Sequence, residues 1–345
     1  MNCRDALVAS VRDILLEWDT EGDMPWGILL SGGTDTCAVV EALSLLERLP
    51  AVAFTVYMKD SPSTDRPYAQ AAANKFGIEH VELELSAEEL LGDPLAFCIE
   101  HLKSFDPMEL RNSVVVAAAI LQAHKQGIRC LLTGDGSDEL MGGYSFTWKS
   151  EEPEWTEKRD AMCREWFFSA PVLGKAIGDM KIRSPFTSES FSNWAISNLH
   201  KIDCIASAKF EKVPNGVKSY GAIGKTPLRD AFPESLAAWR HKDPIEVGSG
   251  TTIFRSPFWF KDNIVKLPDE EFLSVQRKIL EEDSIVIRDH EHYYYYMVFK
   301  KLSPANLPKR EIGGSNNCIG CHFELYNRTT LFCRVCGCWP ARKIE

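Results

Sequence analysis

Two short segments carry residue types that could handle phosphate. Ser31-Gly32-Gly33-Thr34-Asp35-Thr36 sits between an apolar run and a second apolar stretch. A glycine pair lets backbone N–H groups come close to phosphate oxygens, and a helix starting there adds a dipole that favours negative charge. Ser31, Thr34 and Thr36 add hydroxyl donors. Asp35 would repel an anion by itself, so its presence predicts a divalent cation between its carboxylate and the phosphates. The loop lacks the lysine of GxxxxGK[ST] and is therefore not a Walker A site. An ordinary turn is the alternative reading of these six residues. The second segment, Thr133-Gly134-Asp135-Gly136-Ser137-Asp138-Glu139, puts three carboxylates within five positions. That density repels itself unless Mg2+ or a cationic substrate compensates. An Asp/Gly-rich surface loop is the alternative here.

The elements around these segments read as alternating strands and helices. Residues 3 to 18 have apolar positions (Ala6, Leu7, Val11, Ile14, Leu15) at helical spacing. Trp26 to Leu30 is an apolar run that stops at Ser-Gly-Gly, after which Cys37 to Leu46 resumes with helical period: strand, glycine loop, helix. AVAFTVY at 51 to 57 predicts a second strand, followed by a helix near 65 to 76 and a strand around HVELEL. The helix SVVVAAAILQAHKQG then precedes the apolar run Ile128 to Leu132, which ends in TGDGSDE. Such alternation implies right-handed crossovers and a mostly parallel, doubly wound, Rossmann-like α/β sheet. Both glycine loops then lie at the carboxyl edge of the strands, where they can face one crevice. After Tyr144 the pattern turns helical and Trp-rich, with no further clean strand, and the Pro, Gly, Ser and Asn content of Leu302 to Ser315 marks a linker.

Bulk composition narrows the classes. The 345 residues are 45% apolar and 26% charged, the profile of a soluble globular chain large enough to bury a core without disulfides. The N-terminus has no long apolar stretch, so a cytoplasmic protein with no membrane contact is expected. A formal net charge of −10 argues against a broad nucleic-acid surface. Eleven cysteines are present, and five fall in the last 28 residues. Cys318-x-x-Cys321 and Cys333-x-x-Cys336 have the spacing of two knuckles that together give tetrahedral thiolate ligation of a structural Zn2+. Cys338 and His322 are alternative ligands, and an Fe–S cluster is the alternative metal. The scattered cysteines are read as buried apolar residues.

A resemblance to a known family joins the motifs. SGGTDT resembles the pyrophosphate loop of the N-type ATP pyrophosphatases, and TGDGSDELMGGY is similar to the signature of asparagine synthetase synthase domains. FDPMELRNS, IRSPF at 182 to 186, GKTPLRDAFPESLAAWRHKDP and DHEHYYYYMVFKKL resemble further blocks of that family in the same order, over roughly residues 20 to 302. The resemblance implies an adenine nucleotide alpha hydrolase-like fold. It also implies that Leu29, Ser31, Gly32, Gly33, Asp35, Thr36, Thr55, Gly134 and Lys225 bind ATP and pyrophosphate, that Asp35 and Asp138 share Mg2+, and that Lys242 is the catalytic cation. Asp135 is a further catalytic candidate. Arg111 is a candidate for steering a carboxylate or acyl-adenylate, since guanidinium binds oxyanions bidentately; a structural ion pair is its alternative. Lys225 and Arg229 suit either the phosphates or a surface face.

The implied reaction is adenylation of a carboxylic acid by ATP, with release of pyrophosphate, then attack of ammonia or an amine to give an amide and AMP. Two departures from the family shape the expected partners. The chain begins Met-Asn-Cys shortly before the loop, so nitrogen is expected as free ammonia, as another amine or from a separate glutaminase subunit. Asp135 stands where the family usually has Glu, and the EVGSG stretch (Glu246, Gly248, Ser249, Gly250) resembles the HEGSG of β-lactam synthetases, which close an amide within one substrate. The expected division is a synthase domain over 1–302, helical from about 145, with a Cys-rich zinc-ribbon tail over 303–345; a homo-oligomer is compatible with it. The alternative function is a tRNA-modifying enzyme of the same superfamily that adenylates a base while the tail grips RNA through Lys309, Arg310, Arg328, Arg334, Arg342 and Lys343.

Overall fold

In the computed structural model, which describes residues 1–22, 24–207, 209–213 and 216–343, the first apolar positions become the buried face of helix α1 (Cys3–Asp19). Asn2 starts that helix, its side-chain oxygen accepting the Asp5 N–H at 2.9 Å. The sheet follows: β1 (Trp26–Leu29), β2 (Val52–Met58), β3 (Glu79–Leu85), β4 (Cys130–Leu132) and β5 (Lys181–Arg183), in the order β3-β2-β1-β4-β5. β1 pairs in parallel with β2 and β4, and β4 in parallel with β5. Strands covered on both faces read as unbroken apolar runs, which is why β1, β2 and β4 stand out in the sequence. β3, at one edge and only half buried, alternates instead.

β5 departs from the sequence expectation of no strand after Tyr144. It is three residues long with a lysine and an arginine at its ends, too short for any periodicity to register. An antiparallel hairpin, Lys209–Val213 with Gly216–Tyr220, is a second departure.

The order places β1 at the centre of the sheet beside β4. The loops that leave their carboxyl ends are therefore neighbours, although their residues are about a hundred positions apart in sequence. Helix α2 (Thr34–Leu45) starts directly after the first of these loops.

The chain divides into two compact units. The first (Met1–Tyr57, Pro62–Glu84, Ala119–Ser249) holds the sheet and the main core, in which Phe186 and Phe191 meet edge to face at 5.3 Å beside Trp155, Trp18 and Leu7. Cutting a buried aromatic of this kind to alanine costs about 3–5 kcal/mol. The second (Met58–Ser61, Leu85–Ala118, Gly250–Glu345) contains helices Asp93–Leu102, Asp269–Asp283 and His290–Leu302 together with the cysteine-rich tail. Its core is aromatic: Phe105 lies 4.9 Å from Phe299, 5.2 Å from the His292 ring and 5.4 Å from Tyr296. Among the described residues no helix is long and apolar enough to cross a membrane.

Candidate functional site

In the first unit, β1 hands the chain to the glycine loop. Leu29 is its half-buried last residue. Leu30 N still donates to Phe54 O at 2.9 Å, so the backbone leaves the sheet only at Ser31. Within the loop Gly33 N donates to Ser31 Oγ at 3.2 Å, and Ser31 Oγ and Thr36 Oγ1 are 3.2 Å apart. No side chain caps α2 at Gly33, which leaves the N–H groups of its first turn for an anion. Asp35 stands in that first turn.

Three stretches of sequence meet at Asp35, and a fourth joins them through Asp138. Ser137 Oγ donates to its Oδ1 at 2.7 Å, and Lys225 Nζ reaches Oδ1 at 2.7 Å and Oδ2 at 2.6 Å. The same ammonium is 2.7 Å from Asp138 Oδ1, and Lys242 Nζ is 2.6 Å from Asp138 Oδ2. The result is a ladder of alternating charge, Asp35–Lys225–Asp138–Lys242. The side chain of Lys225 is 3% exposed and that of Lys242 30%. Lys242 Nζ also lies 5.4 Å over the ring of Tyr144.

Local backbone explains how side chains from separate loops come so close. A Cβ on Gly134 would stand 2.9 Å from Asp35 Cβ and 3.1 Å from Thr36 Cγ2, so only glycine lets the two loops touch there. A Cβ on Gly143 would collide with Asp138 Oδ1 and come to 2.6 Å from Lys225 Cε.

Charge states follow from the ladder. Burial by itself would raise the pKa of Asp138, but Lys225 and then Lys242 outweigh it and hold the carboxyl at about 2. Burial likewise works against the charge on Lys242, while Asp138 and Asp35 overcome it and raise its pKa. Asp135 lacks such a partner. Burial pushes its carboxyl up to about 6, the charges of Asp35 and Asp138 add to that, and the Thr133 hydroxyl, donating at 2.9 Å, opposes it. Burial also raises the Glu139 carboxyl, so within this loop Asp138, which meets Lys225 and Lys242, is held low while its two acidic neighbours are pushed up.

The remaining residues singled out in the sequence fall as follows. Thr55 is buried with its hydroxyl occupied, donating to Leu30 O at 2.5 Å, with His80 Nε2 at 2.8 Å. Arg229 is 1% exposed and clamps backbone, giving hydrogen bonds to the carbonyls of Gly224, Ala238 and Arg240. Glu246 is buried in the short helix Ile245–Gly248, and Gly248 O accepts from Ser63 Oγ at 2.6 Å.

Arg240 is the residue that sequence reading missed. It is 4% exposed, donates from Nη1 to Gly32 O at 2.9 Å and from Nη2 to Asp65 Oδ1 at 2.7 Å, and covers the Tyr68 ring at 4.5 Å. Burial pushes Asp65 up to about 6 against the pull of Arg240. The signal was its place two residues before Lys242 in WRHKD.

The second unit holds the other candidates. Arg111, in helix Pro107–Lys125, pairs through Nη1 with Glu291 Oε2 at 2.7 Å. Burial raises Glu291 to about 8, with Arg111 opposing. In the tail the sulfurs of Cys318, Cys321, Cys333 and Cys336 all lie within 4.8 Å of one another and are buried. The Cys318–Cys336 and Cys321–Cys333 separations are both 3.7 Å. A disulfide would need about 2.05 Å, whereas a tetrahedron of thiolates at about 2.3 Å from one metal has edges of about 3.8 Å. The group can hold a metal ion. Cys338 lies outside that four-sulfur group, its Sγ 3.5 Å from Pro340 O. His322 adjoins it at positive φ with its N–H bonded to Cys318 O at 2.8 Å.

Comparison with known proteins adds the lineage. A family model described as asparagine synthase matches residues 2–196. A glutamine-hydrolysing asparagine synthetase of Oryza sativa subsp. japonica is 26% identical over 314 residues, covering 85% of this chain and 50% of that protein. The Cricetulus griseus protein of that name is 28% identical over 301 residues, 81% of this chain and 49% of its own length. Asparagine synthetase B of Escherichia coli K12 is 27% identical over 270 residues, 72% and 44%. The chain spans about half the length of the curated relatives it matches.

Proposed function

This chain belongs to the asparagine synthase family, and on that premise we propose that it is an ATP-dependent amide-forming ligase that passes through an acyl-adenylate. A carboxylate oxygen of the acid attacks the α-phosphorus of ATP and the bond to pyrophosphate breaks. The nitrogen of ammonia or an amine then attacks the acyl carbon, AMP departs and the nitrogen loses a proton.

The observation that carries this reading is the ladder Asp35–Lys225–Asp138–Lys242 beside an uncapped helix N-terminus. Ser31, Gly32, Gly33 and Thr36 bind the pyrophosphate portion through backbone N–H and hydroxyl donors. Lys225 and Lys242 neutralise charge that grows on the leaving pyrophosphate, a contribution of preorganised electrostatics. Asp35 and Asp138 are the residues that would hold Mg2+: their oxygens suit a hard cation, and the Lys225 ammonium already sits between them. Mg2+ there supplies further neutralisation of the phosphates. Asp135, titrating near 6, is the group assigned to take the proton from the attacking nitrogen. Arg111 is assigned to the acid substrate's carboxylate, in exchange for or beside Glu291. The four clustered cysteines hold a structural Zn2+, and the chain works in the cytoplasm on small molecules.

The test is exchange of labelled pyrophosphate into ATP with Mg2+ across a panel of carboxylic acids. Exchange that depends on one class of acid and is lost in Lys242→Met is the expected result. ATP binding without exchange for any acid would overturn the adenylation reading.

A further inference from the structure

The tail is built into the part of the second unit that carries Arg111 and Glu291. Val335 and Cys336 belong to the second knuckle, Cys333-Arg334-Val335-Cys336. The Val335 carbonyl accepts the Phe105 N–H at 2.7 Å and the Ser104 hydroxyl at 3.3 Å. The Cys336 carbonyl accepts from Arg288 Nη2 at 2.9 Å. From the first knuckle, the Gly320 carbonyl accepts the Val286 N–H at 2.8 Å.

These contacts fall at the starts of two helices. Asp106 opens helix Pro107–Lys125, its carboxylate accepting the N–H groups of Met108 at 3.2 Å and Glu109 at 3.4 Å. It lies against Gly337, where any Cβ would strike it. Arg111 is one turn further along. Asp289 opens helix His290–Leu302 by accepting the His292 N–H at 2.8 Å, and Glu291 is that helix's second residue. Phe105, held by Val335, stacks on His292 at 5.2 Å.

We propose that the four-cysteine metal centre is a strut that sets the Arg111–Glu291 pair, so that losing the metal loosens the first turns of both helices. The physical reason is leverage. Carbonyl directions in a CxxC knuckle are fixed when both thiolates bind one ion, and a short tail without a core of its own loses that order with the metal. Arg288 and Val335 are positioning residues in this scheme. Its catalytic consequence rests on the proposed role of Arg111 at the acid substrate.

Hydrogen–deuterium exchange on the full chain, with zinc bound and after chelation, tests the strut without any substrate, so its outcome is independent of whether the chain adenylates an acid. Amides at 105–111 and 286–293 should exchange at least about tenfold faster in the stripped protein, with α2 and β1 unchanged. Faster exchange confined to 316–343, or spread over the whole chain, would overturn the proposal. Arg288→Met provides a second variant that keeps all four thiolates. It should retain about one zinc per chain, speed exchange at 286–293, and raise the KM for whichever acid supports pyrophosphate exchange by about tenfold, with the KM for ATP unchanged. A normal exchange pattern in that variant would count against the strut.

Discussion

Lys225 reaches both carboxylate oxygens of Asp35, at 2.7 and 2.6 Å, across 190 positions of sequence. One buried ammonium thereby binds the helix after the glycine loop to the loop after β4, since it also meets Asp138. Lys225→Met leaves two carboxylates facing each other without their shared cation. Breaking a buried pair in this way costs about 3–5 kcal/mol. Thermal or denaturant unfolding should show that loss, and Asp35→Asn added to Lys225→Met should recover part of it as a coupling energy.

Gly143→Ala probes the same pair from the backbone side. The new methyl would occupy the position of Asp138 Oδ1, so the carboxylate must swing away from both lysines. Pyrophosphate exchange should fall by about a hundredfold, the scale of losing one preorganised charge contact. Near-native exchange would mean that the Asp138 contacts are dispensable.

Asp135 predicts an acid-side effect on stability. Its carboxyl is raised from 3.8 to about 6 in the folded chain. Below about pH 4 both folded and unfolded states hold the proton; as pH rises to 6 the unfolded state ionises first, so the folded state loses this stability through that window. Raising a carboxyl's pKa by one costs about 1.36 kcal/mol once the unfolded chain has ionised. Partial exposure of the residue to solvent reduces that cost, leaving a loss of order 1 kcal/mol. Asp135→Asn should therefore melt higher than the parent at pH 7.5, show no gain at pH 3.5, and lose activity at pH 7.5, where the parent's carboxylate is ionised.

Arg240→Lys separates charge from shape. A single ammonium cannot satisfy Gly32 O and Asp65 Oδ1 as the guanidinium fork does. The KM for ATP should rise by about tenfold with kcat nearly unchanged; a fall in kcat alone would point to a different role.

For the tail, elemental analysis should find about one zinc per chain in Cys338→Ser, because Cys338 lies outside the four-sulfur group, and much less in Cys321→Ser.

How much of this was legible in sequence depended on whether a local pattern existed. β1, β2 and β4 advertise themselves because burial on both faces demands apolar runs, and the two glycine loops because phosphate and carboxylate chemistry need unusual residues together. β5 has three residues and no room for a pattern. Asp35 and Asp138 were legible as charged residues, but not that Lys225 stands between them, since nothing local encodes a contact spanning 190 positions. Nothing in WRHKD singles out Arg240 as buried; its partners, the Gly32 carbonyl and Asp65, are both far away in sequence. Arg111 kept two readings, and the structure supplies its partner in Glu291. The cysteine spacing, by contrast, is a local constraint, and it led directly to the cluster.

The ladder also has a consequence in time. Its members enter the growing chain as acids first, at 35 and 138, and as bases last, at 225 and 242. Until both lysines have been synthesised and the intervening chain has closed on itself, Asp35 and Asp138 lack part or all of the ladder's positive charge. Nucleotide binding would then report completion of the whole first unit rather than of the sheet alone, and ATP at many times its dissociation constant would stabilise only chains that have reached that point.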